Sequence, residues 1–147
     1  SLRARAWLFL SDAAPLRESF PEHYHEMLDE GLRMPERDRA EIEIDLHRTF
    51  PNHPLFGGFR DADDAAAEPP GRAALRRVLL AFAAHNQSGG YCQALNFIAA
   101  MILLVTELQE EPAFWLLVAM CEIVPDFYSQ YMTGIRVEQN LFGRLVH

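Results

Sequence analysis

The residues best suited to chemistry fall in two short segments. The first is residues 42–51. On a helix turning about 100° per residue, Ile42, Leu46, Thr49 and Phe50 share one apolar face. Asp45 and Arg48 lie together at its edge, with Glu41 nearby. A carboxylate three residues before an arginine can hold the guanidinium in one orientation. Pro51 cannot continue a helix, so Arg48 sits in the last turn and its head can project beyond the helix end. The same spacing also describes an ordinary surface ion pair, which is worth little. Spacing alone favours that plainer reading.

The second segment is residues 89–96. Gln93 and Asn96 are the only strongly polar side chains in a run otherwise fit for burial. Three residues apart, they are predicted to share a helical face. A buried amide without a partner costs about 1–3 kcal/mol, so such residues are either locked in a structural network or aimed at a ligand. Gln93 follows Gly89 and Gly90 and is read in the first turn of a helix. Free N–H groups and positive potential at such a position suit a phosphate-rich partner. On sequence alone the structural network is the stronger of the two readings.

The elements that carry these segments read as helices throughout. No run alternates at period two for long, and no Asn-Gly or Asp-Gly turn separates β-branched stretches. Leu2, Ala6, Phe9 and Leu10 fall on one face of a first helix, with Trp7 beside it. Phe20, Tyr24, Met27 and Leu28 repeat at helical spacing, and Gly31 is read as the stop. Asp38 is read as the cap of the helix that carries Arg48. Leu75, Val78, Leu79, Phe82 and Ala83 form the stripe of a strong helix. Residues 91–106 are apolar nearly all round and predict a central buried helix. Another helix spans 110–124, ended by Pro125, and two shorter pieces flank Gly134. The predicted fold class is therefore all-α, a multi-helix array. One loop, around 57–71, is acidic, broken by Pro and Gly, and expected to be mobile.

Composition narrows the function classes. Half of the 147 residues are hydrophobic, enough for one packed domain. Acidic side chains outnumber Lys and Arg by 21 to 13, a net charge of −8, which argues against binding nucleic acid through its phosphates. The most apolar segment, 94–105, is interrupted by Asn96 and falls short of the roughly 20 residues that span a bilayer. The opening residues run straight into an amphipathic stretch, so no secretory leader is expected. Cys92 and Cys121 sit in apolar runs and read as reduced thiols of a cytoplasmic protein. A nucleophilic Cys92 would need His85 brought close, and nothing local favours that.

Other constellations carry less. His23 and His25 are two residues apart and do not face each other on a helix, so no metal site is expected there. Asp61, Asp63 and Asp64 hint at calcium, but an EF-hand loop would want Gly where Ala66 stands and Glu where Arg72 stands. Phe114 and Trp115 are read as core, and Tyr128 and Tyr131 as candidate partner contacts.

Three patterns, in order along the chain, resemble the signature motifs of the TBC family of Rab GTPase-activating proteins. They are Arg3 with Trp7; Ile42, Asp45, Arg48, Thr49 and Pro51; and Tyr91, Cys92, Gln93 and Asn96. The stretch 113–122 is similar to the family's segment after the third motif. The chain as a whole resembles the N-terminal two-thirds of a single TBC domain. The resemblance implies two catalytic fingers supplied in trans to a Rab-family small GTPase. Arg48 matches the arginine finger, which neutralises charge developing on the transferred phosphoryl group. Gln93 matches the glutamine finger, which positions the attacking water. By the same resemblance Asp45 orients Arg48, Tyr91 and Asn96 shape the loop around Gln93, and Arg3 and Trp7 support the fold. GTP and Mg are bound by the partner, so no cofactor of its own is implied. A place in the cytoplasm, peripheral to endomembranes through the partner, is expected. A helical module that binds a Rab or a scaffold without stimulating hydrolysis is the alternative. The chain departs from the family at Ala94, where glycine is usual; a methyl there could tighten packing beside Gln93, but the matching side chain itself is intact.

Overall fold

The computed structural model describes residues 2–57, 68–87 and 89–123. Among the described residues the architecture is seven helices and no strand: α1 (Leu2–Leu10), α2 (Ala13–Ser19), α3 (His23–Arg33), α4 (Glu36–Arg48), α5 (Pro70–His85), α6 (Leu95–Val105) and α7 (Glu110–Ile123). The expected all-α class is what the chain adopts. The short pieces read around Gly134, the acidic run at 61–64, and Tyr128 and Tyr131 lie outside the described residues.

Helix α5 is the hub. It packs against α3, α4, α6 and α7. Leu75, Val78, Leu79, Phe82 and Ala83 are all buried, as their spacing predicts, and so are Leu80 and Ala81 on the opposite side. A helix buried on several faces has neighbours all round. That role was expected of the 91–106 run. Instead α6 begins only at Leu95, and it leaves Phe97 and Met101 exposed. Helix α7 is buried from Pro112 through Ala119, and Phe114 and Trp115 are core as read.

Gly31 does not stop α3. It lies inside the helix, two residues before its end, buried against the backbone of α5. A Cβ on Gly31 would meet the carbonyl oxygen of Leu80, with the carbonyl carbon 2.6 Å away. Only glycine lets two helix backbones approach this closely. Nor does Asp38 cap α4. Pro35 occupies the cap position, and Asp38 lies in the first turn, where its charge favours the positive helix end. In α1 the inward residues are Ala4 and Leu8, while Leu2, Phe9 and Leu10 are exposed. Arg3 is exposed and Trp7 is 51% exposed, so the described residues give this pair little part in the core.

Ion pairs tie the helices where apolar packing gives way to solvent. Arg76 of α5 takes both oxygens of Glu43 on α4 (2.6 and 2.9 Å) and reaches Glu68 (2.6 Å). Arg77 forks onto Glu110 at the start of α7, and Tyr24 of α3 donates to the same carboxylate at 2.7 Å. Bidentate pairs of this kind fix orientation as well as adding energy. They hold Glu110 ionised, below the usual carboxylate range, against the opposing pull of burial, which is the largest single influence on it.

The entry to α5 is pinned at its base. Gly71 N–H donates to Leu55 C=O at 2.8 Å, and a Cβ on Gly71 would lie 2.6 Å from that oxygen. Gly57 is pressed as closely on Pro51. Of the predicted loop around 57–71, the last two residues belong to α5, and residues 58–67 lie outside the described residues.

Candidate functional site

Two chain segments meet at the site: the C-terminal end of α4 and the stretch 86–96 that links α5 to α6. Helix α4 ends at Arg48, as Pro51 predicts. The chain turns sharply there, with Phe50 at φ 44. Arg48 keeps its side chain 63% exposed, with a guanidinium nitrogen 3.6 Å from Asp45 Oδ1. The Asp45 side chain is only 9% exposed. The two residues pair as their spacing requires, but the carboxylate is an interior group and the arginine head is free to leave it.

The linking segment is built on Asn86. Its carbonyl accepts from Gly89 N–H (3.2 Å) and Gly90 N–H (2.6 Å), and its side-chain amide donates to Gly90 C=O at 3.1 Å. Gly90 adopts φ +58 with open space around it. This tight turn delivers Tyr91 toward α4, and the Tyr91 hydroxyl donates to Asp45 Oδ2 at 2.7 Å. Burial first, then the Asp45 carboxylate, pushes the phenol well above its ordinary range, so it remains a donor. Asp45 thus holds Arg48 with one oxygen and accepts from the neighbouring segment with the other.

Gln93 is exposed and lies in a turn before α6, not in its first helical turn. Asn96 is 1% exposed. The two do not share a face, because the helix begins between them. The boundary residue is Ala94, at φ 82 and ψ −18. That is left-handed backbone, which glycine adopts freely and an L residue only at a cost. The usual glycine of this motif therefore has a conformational reason. Ala94 is exposed, so its methyl does not tighten packing beside Gln93.

Behind the exposed pair lies a buried polar knot. Asn96 Nδ2 donates to Thr49 Oγ1 at 2.8 Å and approaches the Asp45 carbonyl at 3.4 Å. The Thr49 hydroxyl donates to the same carbonyl at 2.7 Å. In the sequence Thr49 belongs to the apolar face of α4 and to the second motif, with no role of its own assigned. Its position four residues after Asp45, within reach of that carbonyl on the preceding turn, was the available signal.

A cleft of about 680 Å³ opens beside Gln93, between Arg37, Asp38 and Glu41 of α4 and the Asn86–Gly90 turn. Three large apolar side chains on the elements that carry the site, Ile44 on α4 and Phe97 and Met101 on α6, are exposed. Among the described residues no group of three or more potential ligands could hold a metal ion. Burial raises the Cys92 thiol above its ordinary range and pushes Cys121 up to about 12, the opposite of what activates a nucleophile. His85 faces His23 instead, with ring nitrogens 2.9 Å apart. No described helix is long and apolar enough to cross a membrane.

Comparison with known proteins shows the family. The family model of the Rab-GTPase-TBC domain matches residues 1–147. The chain is 42% identical to growth hormone-regulated TBC protein 1 of Homo sapiens over 145 residues, 98% of this chain and 40% of that protein. To the Xenopus tropicalis protein of the same name it is 38% identical, with the same coverage. Among solved structures it resembles the Chlamydomonas flagellar RabGAP TBC domain, with 35% identity and a TM-score of 0.73 over 88% of this chain and 42% of that one. The chain spans about two-fifths of the length of the curated relatives it matches. On its motifs, its helical architecture and these matches, the chain belongs to the Rab-GTPase-TBC domain family.

Proposed function

We propose that this chain acts as a GTPase-activating protein for a Rab-type small GTPase, with Arg48 and Gln93 supplied in trans. The observation that carries the reading is the anchoring of an exposed arginine and an exposed glutamine segment on one buried carboxylate, Asp45. Phosphoryl transfer responds mainly to positioning and to charge placed against the transition state, and an arginine delivered in trans is worth about 10³–10⁵ in rate. Arginine suits that task better than lysine, because its planar fork is rigid and always charged. Arg48 is lightly held at 3.6 Å, so entering a partner's nucleotide site sacrifices little. Gln93 in trans would orient the attacking water, and the partner would bring GTP and Mg. The exposed Ile44, Phe97 and Met101 on the same two helices offer apolar contact to a partner. They also suit the competing reading, a module that binds a GTPase without stimulating it. Exposure of both Arg48 and Gln93 favours catalysis, since a pure binder needs neither. Such an activity belongs in the cytoplasm, at endomembranes that carry the partner.

Single-turnover GTP hydrolysis across a panel of purified Rab GTPases tests this, with the protein at its natural length and its Arg48→Ala and Gln93→Ala variants. Stimulation of at least one Rab, abolished in both folded variants, is the expected result. Binding of a Rab without stimulation would move the reading to the non-catalytic module. A strong fall in melting temperature of Arg48→Ala would make Arg48 structural.

A further inference from the structure

We infer that Thr49 is a positioning residue for this site: its hydroxyl sets the register between the arginine-bearing end of α4 and α6, whose preceding turn bears Gln93. The inference rests on the proposed reading of Arg48 and Gln93 and adds the element that relates them. Thr49 is fully buried at the end of α4 and next in sequence to Arg48. Asn96 is buried in the first turn of α6, three residues after Gln93. The Thr49 hydroxyl uses its one proton on the Asp45 carbonyl at 2.7 Å and accepts the Asn96 amide at 2.8 Å. Those roles are directional. A hydroxyl has one donor and spare acceptor capacity, whereas a carboxamide nitrogen can only donate. With the hydroxyl proton committed to the Asp45 carbonyl, the Thr49 oxygen is left to accept from Asn96, which ties the first turn of α6 to the end of α4.

Packing alone does not account for the pair. Two apolar residues would fill the same interior without desolvating a carboxamide, whose oxygen has no hydrogen-bond partner among the described residues. A polar contact kept at that cost is explained by the register it imposes. The second link, Tyr91 to Asp45 Oδ2, lies toward the surface. It is a second link between the same two segments, so Thr49–Asn96 and Tyr91–Asp45 together hold the backbone that carries Arg48 against the backbone that carries Gln93, while the arginine head stays free.

The test uses Thr49→Val, which keeps shape and removes the hydroxyl, Thr49→Ser, which keeps the hydroxyl, Asn96→Ala, and the double variant Thr49→Val/Asn96→Ala. Two readouts are taken well below the melting temperature of each. In ¹H–¹⁵N spectra of the protein without a partner, the side-chain N–H signals of Arg48 and Gln93 are expected to shift in Thr49→Val and Asn96→Ala and to return in Thr49→Ser. Unmoved signals in folded Thr49→Val or Asn96→Ala would overturn the inference whatever the activity. In the hydrolysis assay, stimulated kcat is expected to fall about 10- to 100-fold, the scale of a small misplacement, with KM for the GTPase changed less than about twofold. Thr49→Ser is expected to recover it. The double variant is expected to lose no more than the worse single variant, because the two side chains act as one unit. Losses that multiply, or a lowered melting temperature with unchanged kcat, would make the pair merely structural. If Arg48→Ala keeps full stimulation, the finger reading fails, while the spectra still decide whether Thr49 sets the register. If Thr49→Val does not fold, Asn96→Ala carries both readouts.

Discussion

Replacing Ala94 by glycine is expected to stabilise the protein. Ala94 stands at φ 82 and ψ −18, immediately after Gln93 and at the start of α6. Left-handed backbone costs an L residue about 1–2 kcal/mol through the clash of its Cβ with the backbone, a cost glycine does not carry. Against this, glycine widens the unfolded ensemble, which removes about 0.4–1 kcal/mol of stability. Loss of the methyl adds little, because Ala94 is exposed. The balance is a gain of about 0–1.6 kcal/mol, centred near 0.8. For a chain of this length about 1 kcal/mol moves Tm by 2–4 °C, so a rise of about 1–4 °C is expected. The assay is thermal unfolding followed by far-UV circular dichroism, with Ala94→Val in parallel. A β-branched side chain is least tolerant of positive φ, so Tm should fall in the order Gly, Ala, Val. A flat series, or glycine below alanine, would refute the left-handed assignment and with it the reason given for the family's glycine.

Three further outcomes are expected. Gly31→Ala sets a helix-propensity gain of about 1 kcal/mol against an overpacking cost of about 1–3 kcal/mol. The obstructing atoms belong to the Leu80 backbone, which cannot rotate aside, so the urea midpoint should fall, and a rise would show that α3 and α5 are less tightly apposed. Tyr91→Phe removes the donor to Asp45 Oδ2 and should cost about 1 kcal/mol together with a roughly tenfold drop in stimulated hydrolysis; unchanged hydrolysis would separate the tyrosine from the site. Burial, then the neighbouring His23, lowers the His85 imidazole below its ordinary range, and Glu122 opposes them. The unfolded chain therefore binds a proton before the folded one does, and stability is full above about pH 6.5 and lost as pH falls toward the folded value. Tm measured between pH 7 and pH 5 should decline, and less steeply in His85→Gln; parallel slopes would place the acid sensitivity elsewhere.

Features readable in the sequence were those set by local geometry. Asp45 meets Arg48 because three residues on a helix always bring side chains together, and Pro51 closes α4 wherever the rest of the chain goes. The apolar stripe of α5 likewise follows from its period. The start of α6 was misplaced because apolar periodicity runs on through residues 91–94, while a single left-handed residue at 94 breaks the helix. That break separates Gln93 from Asn96, one outward and one inward. Gly31 was read as a stop because sequence does not distinguish a glycine that ends a helix from one that admits a neighbouring backbone. The bonds from Tyr91 and Asn96 to α4 span about fifty positions in the chain, and no local pattern foretells which groups such a closure brings together.

The pinned base below α5 has a practical consequence for engineering. Gly71 bonded to Leu55, Gly57 against Pro51, and Glu68 on Arg76 bring the two flanks of residues 58–67 to one anchored point. Insertions are tolerated where the flanking backbone keeps its own bonds. Doubling the length between the two flanks adds only about 0.6 kcal/mol of closure entropy. A fluorescent reporter or an affinity epitope grafted between Gly57 and Glu68 should therefore leave Arg48 and Gln93 undisturbed.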